Sequence, residues 1–286
     1  EGPVSTVLMP SFYALVCLIS VPINISALLA FSRRIRPKKP AAIYMLNLAS
    51  ADLLFALLLP FKISYHFSGN NWIFGEALCR VVTAAFYWNM YCSVLLIACI
   101  SVDRLLAVVY PIDSLAWRRP RNATIACASM WVLSLAGSLP LVLSEQSLYV
   151  IHFILHFVFQ KETAAGYFLT MGTLGFIVPA LVCIVSYALM LKALRKSMTD
   201  PTITRMRRKA VALIVIVLVM FLVCFTPSNV MLLVHYSLLL SGSPNTLYGA
   251  YVTTLCLASL NSCLDPFLYY FISEDFREHV KNTFLC

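Results

Sequence analysis

Seven apolar runs divide the chain, and each is long enough to cross a lipid bilayer as an α-helix. The hydrocarbon core of a bilayer is about 30 Å thick, so roughly 20 residues rising about 1.5 Å each are needed. Strands of a membrane barrel would be about half as long and would alternate apolar with polar residues. With 61% apolar residues, 12% charged residues and a mean hydropathy of +0.86, the chain is not a soluble domain.

The sequence therefore predicts an all-α membrane protein, a seven-transmembrane helix bundle forming a single domain over residues 1–286. The predicted spans are about 8–32, 41–67, 77–110, 122–143, 164–194, 209–240 and 246–272. After the last span, Phe276, Val280 and Phe284 recur at helical spacing, which predicts a short amphipathic helix over about 274–284 on the membrane face.

The net charge of +9 reflects membrane topology and not nucleic-acid binding. Most of the 21 basic residues follow the first, third, fifth and seventh spans, whereas Lys62, Arg80 and Lys161 fall towards the other side. The positive-inside rule then places the amino terminus outside and the carboxyl terminus in the cytoplasm, with anionic membrane lipids as a secondary partner. The first residue is Glu1, which predicts a trimmed or mature chain, and Cys286 is a candidate for palmitoylation.

Polar groups interrupt three of these apolar runs: Asp265 before Pro266 in the last, Asn47 and Asp52 in the second, and Asp103-Arg104 in the third. A charge at membrane depth is costly, so each group is predicted to face the protein interior and to have a function. Two simpler interpretations remain open. Arg104 can reach the membrane surface beside Asp103, and the buried carboxylates can be protonated in a water network.

Taken together, one such marker falls in every span. They are Asn24, Asn47 and Asp52, Asp103 and Arg104, Trp131, Pro179 and Tyr187, Phe221 to Pro227, and Asp265 to Tyr269. This series resembles the rhodopsin-like (class A) G-protein-coupled receptors over essentially the whole chain. The resemblance implies a plasma-membrane receptor that is not an enzyme, with a heterotrimeric G protein and arrestin as partners.

The resemblance also implies roles for individual residues. Arg104 would hold Asp103 at rest and, on activation, turn to Tyr187, Tyr269 and the carboxyl-terminal helix of the G protein. The remaining members of this activation switch are Phe221, Phe225, Pro227, Asp265 and Pro266. A second implied site binds a sodium ion, the one cofactor expected here, through Asp52, Ser93, Asn261, Ser262 and Asp265.

Three positions depart from the usual pattern of that family. Leu105 replaces the more frequent aromatic residue after Arg104, and Phe225 replaces a more frequent tryptophan. The acid often found near the start of span six is absent, because Arg207 and Arg208 stand there. The sequence therefore predicts raised agonist-free signalling.

Within the superfamily, four stretches look like the protease-activated receptors: residues 61–80, 86–91, 227–236 and 260–267. This likeness implies cleavage by an extracellular serine protease and activation by a tethered peptide. Cys79 is predicted to have no disulfide partner, because residues 155–157 read Leu-His-Phe where this branch has Cys-His-Asp. A receptor of the same fold for a nucleotide, a lipid or a free peptide is the alternative.

A ligand pocket is predicted towards the outer ends of the spans. Its candidate residues are Tyr87, Glu162, Phe168, His235, Tyr236, Leu239, Tyr248 and Tyr251. The alternative for these aromatic residues is an interfacial belt. A transporter or channel would require internal repeats and a continuous polar path, which the sequence does not contain. A membrane-embedded protease would need a serine–histidine or paired-aspartate arrangement, and none stands out.

Overall fold

In a computed structural model of the chain, the described residues are 7–34, 39–69, 73–138, 173–196, 201–240 and 248–284. Ten α-helices lie in these ranges. They are α1 (Met9–Leu29), α2 (Pro40–Phe67), α3 (Glu76–Val109), α4 (Pro120–Ser138), α5 (Val178–Arg195), α6 (Pro201–Met220), α7 (Thr226–Leu240), α8 (Tyr248–Ser259), α9 (Asn261–Ile272) and α10 (Glu274–Phe284).

Short helical turns of other types extend or join these helices. A π-helical turn, Ala30–Arg34, continues α1, and Thr173–Ile177 leads into α5. A third, Phe221–Phe225, joins α6 to α7, and these three elements together are called span six. Span seven consists of α8 and α9, which meet at Leu260.

All regular structure in the described ranges is helical, which confirms the all-α prediction. Within the part of the chain that the structure describes, six segments are long and apolar enough to cross a membrane. They are Met9–Arg33, Pro40–Phe67, Ala77–Val109, Leu174–Arg195, Pro201–Met231 and Thr253–Ile272. The helix α4 adds a 19-residue segment ending at Ser138, and the rest of the predicted fourth span lies outside the described residues. The protein is therefore a multi-pass membrane protein.

The third helix is the centre of the bundle, because α3 packs against α2, α4 and α5. Its inner side chains, including Met90, Tyr91 and Leu96, are almost completely buried. Gly175 of the turn before α5 lies directly against the ring of Tyr91, and a Cβ atom built there would lie 2.8 Å from it. This close approach explains the glycine.

Prolines within the spans leave main-chain carbonyls without their helical donors, and side chains of neighbouring helices donate hydrogen bonds to those carbonyls. Pro266 cannot donate to the carbonyl of Ser262, and the amide of Asn24 donates to that carbonyl at 2.9 Å. Pro60 likewise cannot donate to the carbonyl of Ala56, and this carbonyl accepts a hydrogen bond from the thiol of Cys17 at 3.5 Å. These bonds tie span one to spans two and seven.

The amphipathic helix α10 is anchored to the bundle at its first turn. Ser273 caps it, with the hydroxyl accepting from the backbone N–H of Phe276 at 3.1 Å. The Phe276 ring stacks on Phe31 at 5.1 Å and meets Tyr269 edge-on at 6.0 Å. Arg277 donates to the carbonyl of Tyr270 at 3.1 Å. The start of α10 is thereby fixed against spans one and seven.

Candidate functional site

Asp52 and Asp265 lie fully buried on α2 and α9, two helices that pack against each other. None of the four carboxylate oxygens accepts a hydrogen bond from a described donor, and the hydroxyl of Tyr269 is also without a partner. Two buried acceptors of this kind need a cation or a shared proton to offset the loss of hydration. The arrangement can therefore bind one positive charge.

The amides beside this pair form a chain across the bundle. Asn261 donates to the hydroxyl of Ser93 at 2.9 Å, and Asn89 donates to the carbonyl oxygen of the Asn261 side chain at 3.0 Å. Asn89 was not among the site residues predicted from the sequence. The available signal was its position one helical turn before Ser93 in an apolar run, since polar residues at that spacing share a helix face.

The side chain of Ser262 contacts span one. Its hydroxyl lies 2.6 Å from that of Ser20 and 2.9 Å from the carbonyl of Ser259, to which it donates. Ser20 was also missed by the sequence analysis, because a serine in an apolar helix most often bonds within its own helix. The predicted ion-site residues thus include one, Ser262, whose hydroxyl already has two protein partners.

The oxygen-rich chemistry of this cluster fits a hard monovalent cation. Orphaned carboxylates, a hydroxyl and an amide oxygen are the donor types that such cations take, while softer metals prefer nitrogen or sulfur. Within the described part of the chain, no group of three or more His, Cys, Asp or Glu side chains could hold a metal. Asp52, Asp265 and Ser93 would hold the sodium ion, which when bound would offset one of the two carboxylate charges.

At the other site, Asp103 is shared by two arginines. Its carboxylate accepts a hydrogen bond from Nε of Arg118 at 2.9 Å. The contact with Nη2 of Arg104 is longer, at 3.4 Å. Asp103 is 4% exposed, whereas the Arg104 side chain is 23% exposed. The Nε of Arg104 has no hydrogen-bond partner among the described residues. Arg118 therefore holds Asp103 more closely than Arg104 does.

The two tyrosines assigned to the activation switch make other contacts in this conformation. Tyr187 accepts a hydrogen bond from the hydroxyl of Ser101 at 3.1 Å. The Tyr269 ring meets Phe31 edge-on at 5.5 Å. Both tyrosines are buried, and neither contact involves Arg104.

Arg104 lines a cavity of about 300 Å³ at its end of the bundle. We call this the Arg104 cavity. Its lining contains three basic and two acidic residues together with apolar ones. The lining residues are Lys39, Ala41, Ala42, Arg104, Val108, Met190, Met206, Lys209, Ala210, Leu213, Ile272, Ser273, Glu274 and Asp275.

Span six has its irregular turn at the predicted packing residues. Phe221 and Phe225 bound the π-helical turn, are buried, and lie 5.7 Å apart between ring centres. The hydroxyl of Thr226 donates to the carbonyl of Phe221 just before Pro227. A π-helical turn next to a proline is a weak point in a helix, so span six can bend here.

The predicted outer pocket is only partly described. Tyr87 lies buried in α3. His235, Tyr236, Leu239, Tyr248 and Tyr251 lie on α7 and α8, whose backbone is described there, while Glu162 and Phe168 fall outside the described residues. Cys79 is a free thiol, as are the other cysteines in the described ranges, and Cys286 lies beyond them. The pocket stays a prediction.

Comparison with known proteins identifies the class to which this arrangement belongs. Residues 23–269 match the family model described as 7 transmembrane receptor (rhodopsin family). The match covers most of the 286 residues, and the seven-helix prediction is confirmed. The chain belongs to the rhodopsin family of seven-transmembrane receptors.

Within that family, proteinase-activated receptors are among the proteins similar to this chain. The chain is 43% identical over 293 residues to human proteinase-activated receptor 2, covering 100% of this chain and 73% of the relative. It is 42% identical over 294 residues to mouse proteinase-activated receptor 1, covering 100% of this chain and 68% of the relative. For Xenopus laevis proteinase-activated receptor 1 the identity is 41% over 288 residues, covering 98% of this chain and 67% of the relative. The resemblance stated from the sequence motifs is therefore confirmed.

Proposed function

We propose that this protein is a G-protein-coupled receptor activated by extracellular proteolysis through a tethered peptide agonist. The observation that carries the proposal is the identity of 41–43% to proteinase-activated receptors over nearly the whole chain. The same observation favours this function over a receptor for a nucleotide, a lipid or a free peptide. The receptor would act in the plasma membrane, with the amino terminus outside and the Arg104 end in the cytoplasm.

The charge of the Arg104 end supports that orientation. Arg118, Arg119, Lys209 and Arg277 all lie on loops or helices at this end, and positive residues accumulate on the cytoplasmic side of membrane proteins. The amphipathic helix α10 starts here and places Phe276 against the bundle. Cytoplasmic proteins would therefore meet the Arg104 cavity.

In this proposal Arg104 is the residue that receives the G protein. It lines the cavity, is partly exposed, and is held by Asp103 through a long contact of 3.4 Å. Because Arg118 neutralises much of the Asp103 charge, Arg104 can turn to a new acceptor at modest cost. The carbonyls at the carboxyl end of a G-protein helix are acceptors of this kind.

The buried polar cluster would link the outer pocket to this cavity. Asp265 lies one helical turn from Tyr269, which packs against Phe31 and Phe276 near the cytoplasmic end. Losing the positive charge that Asp52 and Asp265 share would raise the free energy of one conformation of span seven more than that of another. An ion at this site can thus bias the conformational equilibrium, which is what allosteric coupling requires.

The proposal is tested in cells that express the full-length receptor. A trypsin-like serine protease should raise G-protein signalling, and the same protease with its active-site serine blocked should not. A synthetic hexapeptide matching the residues that follow the mapped cleavage site should signal without any protease. If neither treatment signals while a nucleotide, lipid or unrelated peptide does, the alternative receptor class is correct. Arrestin recruitment and palmitoylation at Cys286 remain predictions of the family resemblance.

A further inference from the structure

An ion pair joins span six to the first residue of α10. The ammonium of Lys209 donates to Oε1 of Glu274 at 2.8 Å, and a guanidinium nitrogen of Arg205 lies 3.9 Å from the same oxygen. The two partners are 65 residues apart in sequence. No sequence pattern indicated this contact, because Glu274 appeared only as a first-turn residue of an amphipathic helix.

Both partners line the Arg104 cavity, and their contact joins two of its walls. The ammonium of Lys209 on α6 lies 2.8 Å from the carboxylate of Glu274 on α10. An α-helix with its side chains is roughly 10 Å across, so a helix from a partner protein cannot pass between α6 and α10 at this point until they separate.

The wall formed by span six is the one with a built-in bend. Its π-helical turn and Pro227 lie above α6, and α6 below them is an uninterrupted helix of 20 residues. The opposite wall is fixed, because Ser273 caps α10 and Phe276 stacks on Phe31. When α6 swings outward, Lys209 must leave Glu274.

We propose that the Lys209–Glu274 pair closes the Arg104 cavity in the resting receptor and thereby sets the level of agonist-free signalling. The proposal rests on the G-protein coupling proposed above. It also changes the expectation from the sequence, in which the lack of an acid near Arg207 and Arg208 predicted raised basal signalling. Compared with the usual family pattern, in which span six carries the acid, span six supplies the cation in this chain and α10 supplies the acid.

The expected effect is modest because Glu274 is 63% exposed and Lys209 is 29% exposed. Ion pairs at such positions are weakened by water and salt. Breaking the pair should therefore raise agonist-free nucleotide exchange roughly two- to fivefold.

Charge reversal and its repair test the pair directly. Lys209→Glu and Glu274→Lys should each raise agonist-free nucleotide exchange on purified G protein, and the double variant should return it to the wild-type level. Arg195→Glu and Glu278→Lys are matched controls. They make the same charge changes at exposed positions of α5 and α10, outside the cavity lining, and should leave basal exchange unchanged. Equal exchange in wild type and both single variants, or no repair in the double variant, would overturn the proposal.

A distance measurement separates this proposal from G-protein coupling itself. Spin labels at Arg208→Cys and Glu278→Cys report the separation of α6 and α10 without a G protein, with the same labelling of the parent chain as background. Lys209→Glu should lengthen the main distance, and adding Glu274→Lys should restore it. That result supports the closure even if no exchange is measured, in which case the proposed function fails alone. An unchanged distance overturns the closure.

Discussion

The side-chain amide of Asn24 donates to the main-chain carbonyl of Ser262 at 2.9 Å, across the interface between spans one and seven. This is the carbonyl that Pro266 leaves without its helical donor. Asn24 is fully buried and also donates to the carbonyl of Ser20 in its own helix. The bond therefore holds the proline-bent part of span seven next to the Asp52–Asp265 pair.

Replacing Asn24 with Ala should destabilise the receptor. The Ser262 carbonyl would then be buried without a donor, which costs about 1–3 kcal/mol. The measurement is thermal unfolding of the purified receptor in detergent, and the midpoint should fall by several degrees. Ser26→Ala is the matched control in the same helix, because its exposed hydroxyl bonds only to the carbonyl of Pro22. An equal midpoint for Asn24→Ala and wild type would contradict the assignment.

Neutralising either buried acid should abolish a sodium effect on stability. In the wild type, replacing choline chloride with sodium chloride at equal ionic strength should raise the unfolding midpoint, since the cation binds the folded state. Asp52→Asn and Asp265→Asn should each remove that increase. Asp113→Asn, a change of an exposed acid between α3 and α4, should retain it. A sodium-dependent increase that persists in both buried variants would show that the ion binds elsewhere.

Substitutions of Asp103 and of Arg118 should have opposite effects on agonist-free nucleotide exchange. Asp103→Asn frees both arginines and should raise agonist-free nucleotide exchange. Arg118→Gln leaves Asp103 to Arg104 alone and should lower exchange, because the remaining charge pair tightens. Nucleotide exchange on purified G protein checks both signs. A rise in both variants would mean that Arg118 supports the resting state independently of Arg104.

Raising the salt concentration should weaken the Lys209–Glu274 pair more than changing the pH between about 6 and 8 does. The hydrogen bond and charge of Lys209 lower the pKa of Glu274 below its ordinary value. A lowered acid pKa means that the pair is fully present above the ordinary glutamate range and is lost only as the pH falls through the lowered value. Agonist-free exchange, expressed relative to Lys209→Glu at each condition, should therefore stay constant between about pH 6 and 8 and rise with salt. A pH-dependent ratio without salt dependence would contradict this prediction.

Sequence reasoning located the buried charges because each one is costly in lipid and stands out from its apolar run. Asp52, Asp103, Arg104 and Asp265 were predicted in this way, and the structure places them inside the bundle or lining its cavity. The partners were harder to predict. That Pro266 frees a carbonyl follows from local chemistry, but the use of Asn24 as its donor depends on how two helices cross.

Two of the contacts that were not anticipated come from outside the spans. Arg118 reaches Asp103 from the loop after α3, and Glu274 reaches Lys209 from the first residue of α10. Loop and surface residues carry no periodic signal of their own, so their partners appear only once the chain is folded. Asn89 and Ser20 were missed for a related reason, because single polar residues in apolar helices usually bond locally.

The most direct test of the account is nucleotide exchange on a panel of purified heterotrimeric G proteins by the full-length receptor before and after serine-protease treatment. Treatment should accelerate exchange on at least one G protein. Arg104→Ala should abolish the acceleration, whereas Arg119→Ala, a change of an exposed basic residue outside the cavity lining, should retain it. Acceleration that survives Arg104→Ala, or its absence with every G protein tested, would contradict the assignment of the Arg104 cavity.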